Sequence, residues 1–237
     1  MERIIPCEVL IVNLVVSFRR VLKAHPEYWY FLFIPGYLLG FFLMEHLVPS
    51  GCDYWVSWCP LDDRIPFCEW FVLPYCLWYP LLLGTGLLLM FRDVPGLRRY
   101  AWFMIAGFGF SILFCIHFPN GQDLRPDAFP RENFCTWLLG RIYAADTNTN
   151  VLPSMHVIGS AAAVIAVFRS VPNRRWRWPV LIVAVLVTVS TVLVKQHSVL
   201  DVLAAFVLCV PRWFLFYGSG GVSQCGAVAG ARRSAGR

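Results

Sequence analysis

His197 and Asp201 are separated by three residues. On a helix that spacing sets both side chains on one face. A carboxylate so placed accepts the Nδ1–H of the imidazole and leaves Nε2 free as a nucleophile. Asp201 stands just inside an otherwise apolar run, where a bare carboxylate is costly. The plainer reading is an interfacial Asp201 paired with Lys195. A second histidine closes the run Pro153-Ser154-Met155-His156, which reads as a turn entering a helix. Free N–H groups at a helix start attract anions. Ser154 would add a hydroxyl there, and His156 would face the same anion from the first turn; the plainer reading is a capped helix with an interfacial histidine. A third cluster, Gly121 to Pro126, contains Arg125, whose rigid fork of donors matches two phosphate oxygens. Alone, Arg125 reads equally well as a solvated loop charge.

The chain that must position these groups is unlike a soluble enzyme. Of its 237 residues, 58% are hydrophobic and 14% charged, with a net charge of +6, against about 25% charged in ordinary soluble domains. Hydropathy predicts an all-α polytopic membrane helical bundle of about six transmembrane helices. The expected spans are Tyr28–Leu47, Trp70–Phe91, Tyr100–Phe118, Met155–Arg169, Trp178–Val194 and a last one ending near Tyr217. Residues 4–18 are read as a helix lying in the membrane interface, so that 1–27 form an interfacial segment, 28–217 the membrane domain, and 218–237 a disordered tail. Residues 119–153 are expected to form a long polar loop. With six spans both termini share one side, and that side collects fifteen of the twenty basic residues. The positive-inside rule then puts the termini in the cytoplasm and the three polar clusters on the outer face. The nine cysteines show no C-x-x-C spacing, which gives no zinc or thioredoxin-like signal. Cys52, Cys59, Cys68 and Cys135 fall outside, and a disulfide among them stays open.

Together the clusters resemble the three signatures of the type-2 phosphatidic acid phosphatase superfamily, whose fold is shared with vanadium haloperoxidases. The first signature, a lysine followed after six residues by Arg-Pro, is matched by Arg125-Pro126, with Phe118 in the lysine's place. The second, Pro-Ser-Gly-His, is matched by Pro153-Ser154-Met155-His156. The third, Ser-Arg, five residues, His, three residues, Asp, is matched by Ser190-Thr191, His197 and Asp201, with threonine for arginine. The resemblance implies a membrane enzyme that needs no metal or other cofactor. Arg125 and Ser154 would bind phosphate oxygens, His197 would attack phosphorus to form a phosphohistidine, Asp201 would orient His197, and His156 would protonate the departing oxygen. Lys195, two residues before His197, is expected to replace one missing cation. The implied partner is a lipid phosphate in the bilayer rather than nucleic acid. The implied reaction is hydrolysis of a lipid phosphate or pyrophosphate at the outer face of a bacterial plasma membrane. The stretch Asp146–Asn150 is similar to the lipid phosphotransferase branch of the family, which is the alternative. A non-catalytic lipid-binding relative is the alternative of another class, and retention of both histidines and Asp201 argues against it.

Overall fold

The computed structural model describes residues 26–47 and 53–218. The expected interfacial helix at 4–18 and the tail beyond Gly218 lie outside the described residues. A 3-10 turn over Pro26–Leu32 leads into α1 (Phe33–Leu47). A loop crosses β1 (Trp55–Val56) to a 3-10 turn, Glu69–Phe71, that opens α2 (Val72–Cys76) and α3 (Trp78–Arg92). There follow α4 (Val94–His117), β2 (Asn120–Gly121), α5 (Phe134–Ala145), α6 (Met155–Ser170), α7 (Arg174–Leu193) and α8 (Val199–Tyr217).

Among the described residues, five helical stretches are long and apolar enough to cross a membrane: Pro26–Glu45, Glu69–Arg92, Val94–His117, Arg174–Leu193 and Val199–Tyr217. The expected fourth span, α6, has 16 residues, about 24 Å of helix, which is short of a hydrocarbon core of about 30 Å. Its environment explains how it can be short. It packs against α3, α4, α7 and α8 at the centre of the bundle. Val157, Ile158, Ala162, Ala163, Ala166 and Val167 are all buried. Small residues let neighbouring backbones approach closely. At Gly159 a Cβ would come within 2.8 Å of the Trp78 indole nitrogen, so glycine is what admits Trp78 to the helix.

The expected boundaries shift where capping overrides hydropathy. The third span begins at Val94 rather than Tyr100, because Asp93 accepts the Gly96 N–H and Pro95 sits in the first turn. Arg98 and Arg99 are therefore helical. The fifth begins at Arg174, capped by Asn173. The polar stretch 119–153 is not all loop. Asn133 and Thr136 form a reciprocal capping box that starts α5. Cys59, Cys68 and Cys135 are free thiols, so no bond joins them; Cys52 lies outside the described residues.

Two short strands gather the polar end of the bundle. β1 pairs in parallel with β2, Trp55 opposite Asn120 and Val56 opposite Gly121. Gly121 also bridges to Thr149. A Cβ at Gly121 would meet the Tyr54 ring at 2.6 Å and the Asn148 carbonyl at 2.9 Å, so only glycine fits this three-way crossing. The crossing ties the loop before α2 and the segment before α6 to the start of the α4–α5 connection.

Candidate active site

His197 ends the tight connection between α7 and α8. The Thr191 carbonyl accepts the backbone N–H groups of both Gln196 and His197, which fixes that turn. His197 Nδ1 lies 3.3 Å from Asp201 Oδ2. Asp201 is fully buried. It also accepts the Ser198 N–H at 2.9 Å and the Ser57 hydroxyl at 2.5 Å. Ser57 reaches it because its own N–H donates to Gly121 O beside the strand pair. Asp62 finishes the first turn of α8, accepting the Ser198 hydroxyl at 2.6 Å and the Val199 N–H at 2.8 Å. A buried carboxylate is tolerable only with such donors around it.

Across from His197 stands His156. The two rings are 5.7 Å apart, edge to face. Tyr75 at 4.5 Å and Trp78 at 4.4 Å hold the His156 ring between them. The Ser154 N–H donates to the Asp201 carbonyl, pinning the start of α6 to the first turn of α8. Ser154 Oγ is buried and has no hydrogen-bond partner among the described residues.

Both histidines line a cavity of about 290 Å³. One wall is apolar and aromatic, with Tyr37, Phe41, Trp78 and Tyr79; the other is polar, running from Asp146 to Asn150. Gln196 Nε2 donates to Asp146 Oδ2 at 3.4 Å. Burial pushes the Asp146 carboxyl up to about 6, with Glu45 adding to the shift and His197, Arg125 and Tyr75 opposing it. Among the described residues, no group of three or more His, Cys, Asp or Glu side chains is arranged to hold a metal.

The sequence-predicted residues divide into two sets. His197, Asp201, His156 and Ser154 come together. Arg125 comes close, but its fork is turned to the backbone: one terminal nitrogen donates to the carbonyls of Asp146 and Thr147, each at 2.8 Å, and to Gln196. The other reaches the Tyr143 carbonyl at 3.3 Å, and the guanidinium lies 4.3 Å over the Tyr143 ring. Only Nε is buried without a partner among the described residues. Lys195 is not brought to the cavity. Its ammonium donates to the carbonyls of Asp62 at 2.9 Å and Ile65 at 2.7 Å, where it clamps the loop ahead of α2. Neither does it pair with Asp201, whose partners are His197, Ser57 and Ser198. Lys195→Met should therefore lower the melting temperature while leaving KM within about twofold, because it removes a buried clamp and no cavity contact. A KM raised tenfold or more with unchanged melting would return Lys195 to the site.

The PAP2 superfamily model matches residues 117–220, the stretch that runs from the end of α4 through α8 and holds Arg125, Ser154, His156, His197 and Asp201. Residues 117–220 are similar to the PAP2 superfamily. Neither the comparison with curated proteins nor that with solved structures gives a match. The bundle of long apolar helices together with the PAP2 segment fits an integral membrane protein with a phosphatase- or phosphotransferase-type activity. Of the three departures from the PAP2 signatures, Phe118, Met155 and Thr191, the first and last have visible local uses. Phe118 is exposed and packs on Phe114 and Trp55. The Thr191 hydroxyl returns to the Thr188 carbonyl.

Sequence reasoning missed the residues that support the PAP2 segment from outside it. Ser57, Asp62, Tyr75 and Trp78 all precede residue 117, and nothing in their local spacing marks them. Gln122 carried a weak signal through its place in the Arg125 cluster. It is fully buried and donates to the Lys195 carbonyl at 2.9 Å.

Proposed function

We propose that this protein is a membrane-embedded lipid phosphoester phosphatase or phosphotransferase working through a phosphohistidine on His197. The observation that carries the proposal is the buried Asp201–His197 pair facing His156 across a cavity with one polar and one apolar wall. In the proposed first step His197 Nε2 bonds to phosphorus while the bond from phosphorus to the leaving oxygen breaks. His156 gives that oxygen a proton. In the second step His156 takes a proton from water or an alcohol, whose oxygen bonds to phosphorus as the nitrogen–phosphorus bond breaks. Ser154 Oγ, Arg125 Nε and Trp78 Nε1 are buried donors without a partner among the described residues, and the first two are the ones proposed to hold phosphate oxygens.

Transfer to an alcohol is the second reading, and one observation favours it. His197 is only 8% exposed, so its phosphoryl group would be sheltered from bulk water. The site is assigned to the extracytoplasmic face on the distribution of basic residues.

Purified protein presented with a panel of lipid phosphoesters tests the activity, with His197→Ala as the blank. A water-soluble phosphate released from the lipid marks the phosphatase, and a new phospholipid without such release marks the transferase. Turnover that survives in His197→Ala, or none at all, contradicts the proposal. A reporter inserted near Asn133 reads the orientation, and a cytoplasmic signal there would overturn the outward-facing site.

A further inference from the structure

We propose that the site takes a lipid phosphodiester whose head group carries a primary ammonium, received by Asp146 and Asn150. This inference rests on the functional reading above and narrows its substrate. It begins from the shortage of positive charge. A phosphate monoester brings up to two negative charges to phosphorus, and a diester brings one. The residues at two cation positions of the PAP2 signatures are Phe118 and Thr191. Lys195 is spent on the carbonyls of Asp62 and Ile65. Arg125 is spent largely on those of Tyr143, Asp146 and Thr147. Little remains to neutralise a second charge, and a singly charged diester is the substrate that such a site can hold.

The polar wall, in contrast, is rich in acceptors. Asp146 lines the cavity with a buried carboxyl group. Glu45 sits behind Asn150 and Thr147, accepting Asn150 Nδ2 at 2.9 Å and the Thr147 hydroxyl at 2.6 Å. Asn150 also lines the cavity and is 5% exposed. Committing Nδ2 to Glu45 fixes the amide's orientation, and its Oδ1 is left buried with no partner among the described residues. An unmet buried acceptor asks for a donor. An ionised phosphate has none to give, whereas an ammonium has three. The N–H donors that Asn150 Oδ1 needs separate a primary ammonium from a quaternary one. Tyr37 and Tyr79, on the facing wall, add ring faces that attract a cation.

With this substrate the transferred group is the head-group phosphoryl. The His197 Nε2–phosphorus bond forms, the bond from phosphorus to the diacylglycerol oxygen breaks, and His156 protonates that oxygen. Water or an alcohol then takes the aminoalkyl phosphoryl group from His197 and leaves its proton on His156.

The test compares phosphatidylethanolamine, phosphatidylcholine, phosphatidylglycerol and phosphatidic acid of matched acyl chains in mixed micelles, with His197→Ala as the blank. Phosphatidylethanolamine should be preferred by about tenfold or more in kcat/KM, and Asp146→Asn should shrink its advantage over phosphatidylglycerol by about tenfold. A ratio measured within one preparation does not depend on how much of the variant is folded. Phosphatidic acid or phosphatidylglycerol turned over as fast as phosphatidylethanolamine overturns the inference while the functional reading stands, as does a preference unchanged in Asp146→Asn. Phosphatidylcholine matching phosphatidylethanolamine overturns the role given to Asn150 and the primary ammonium. Absence of His197-dependent turnover on all four lipids overturns the functional reading and this inference with it.

Discussion

In His156→Ala, turnover of a lipid phosphoester should fall by about 10²–10⁴-fold, the usual worth of general acid catalysis, while turnover of a nitrophenyl ester of the same phosphoryl group falls little. The difference lies in the leaving oxygen. A glycerol alkoxide is a strong base and must be protonated as its bond to phosphorus breaks. A nitrophenolate is stable as an anion and needs no proton. The ring is well held for this proposed duty, clasped between Tyr75 and Trp78 and set edge to face with His197. Gly159 makes the clasp possible by letting the Trp78 indole close on α6. Comparing the two substrates on one preparation separates chemistry from misfolding. Equal losses on both would mean that His156 only fills space.

Asp201→Asn should lower kcat by on the order of 10⁴, the size of loss seen when an orienting carboxylate behind a catalytic histidine becomes an amide, with KM nearly unchanged. Asp201 is fully buried and absent from the cavity lining, so its loss does not weaken substrate contact. In the proposed mechanism it acts through His197. In that mechanism the carboxylate fixes the tautomer by accepting the Nδ1–H, which would leave the Nε2 lone pair for phosphorus. An asparagine nitrogen in place of Oδ2 would donate where a donor already stands, and the imidazole would have to change tautomer and lose its free Nε2. Oδ1 would still accept from Ser57, so part of the web that anchors α8 survives. A kcat within tenfold of wild type would remove Asp201 from the mechanism.

The grouping of His197, Asp201, Ser154 and His156 was readable in the sequence because their spacing is local. His197 and Asp201 are one helical turn apart, and Ser154 and His156 share the first turn of α6. Arg125 was legible as a residue near the site but not in its contacts, because the carbonyls that hold its fork come from 143–147. Lys195 was misread for the same reason at greater range. Proximity to His197 in sequence suggested a phosphate ligand, yet its acceptors are carbonyls about 130 residues earlier. Ser57 and Asp62 looked like ordinary loop residues, since the β1–β2 pairing and the Lys195 clamp that bring that loop to α8 are contacts distant in sequence. The spans were legible as apolar runs. α5 was not, because twelve residues starting at a capping box inside a polar stretch carry little hydropathy signal. α6 showed the converse. Its sequence resembles a membrane span, but its shortness and small residues make sense only once α3, α4, α7 and α8 surround it.

The central claim is the covalent bond between phosphorus and His197. Substrate labelled at phosphorus, mixed with wild-type protein and quenched in alkali within milliseconds, should leave label on the protein in an acid-labile, base-stable form. Peptide mapping should place that label on His197, and His197→Ala should trap none. Label found on another residue, or on protein lacking His197, would contradict the account.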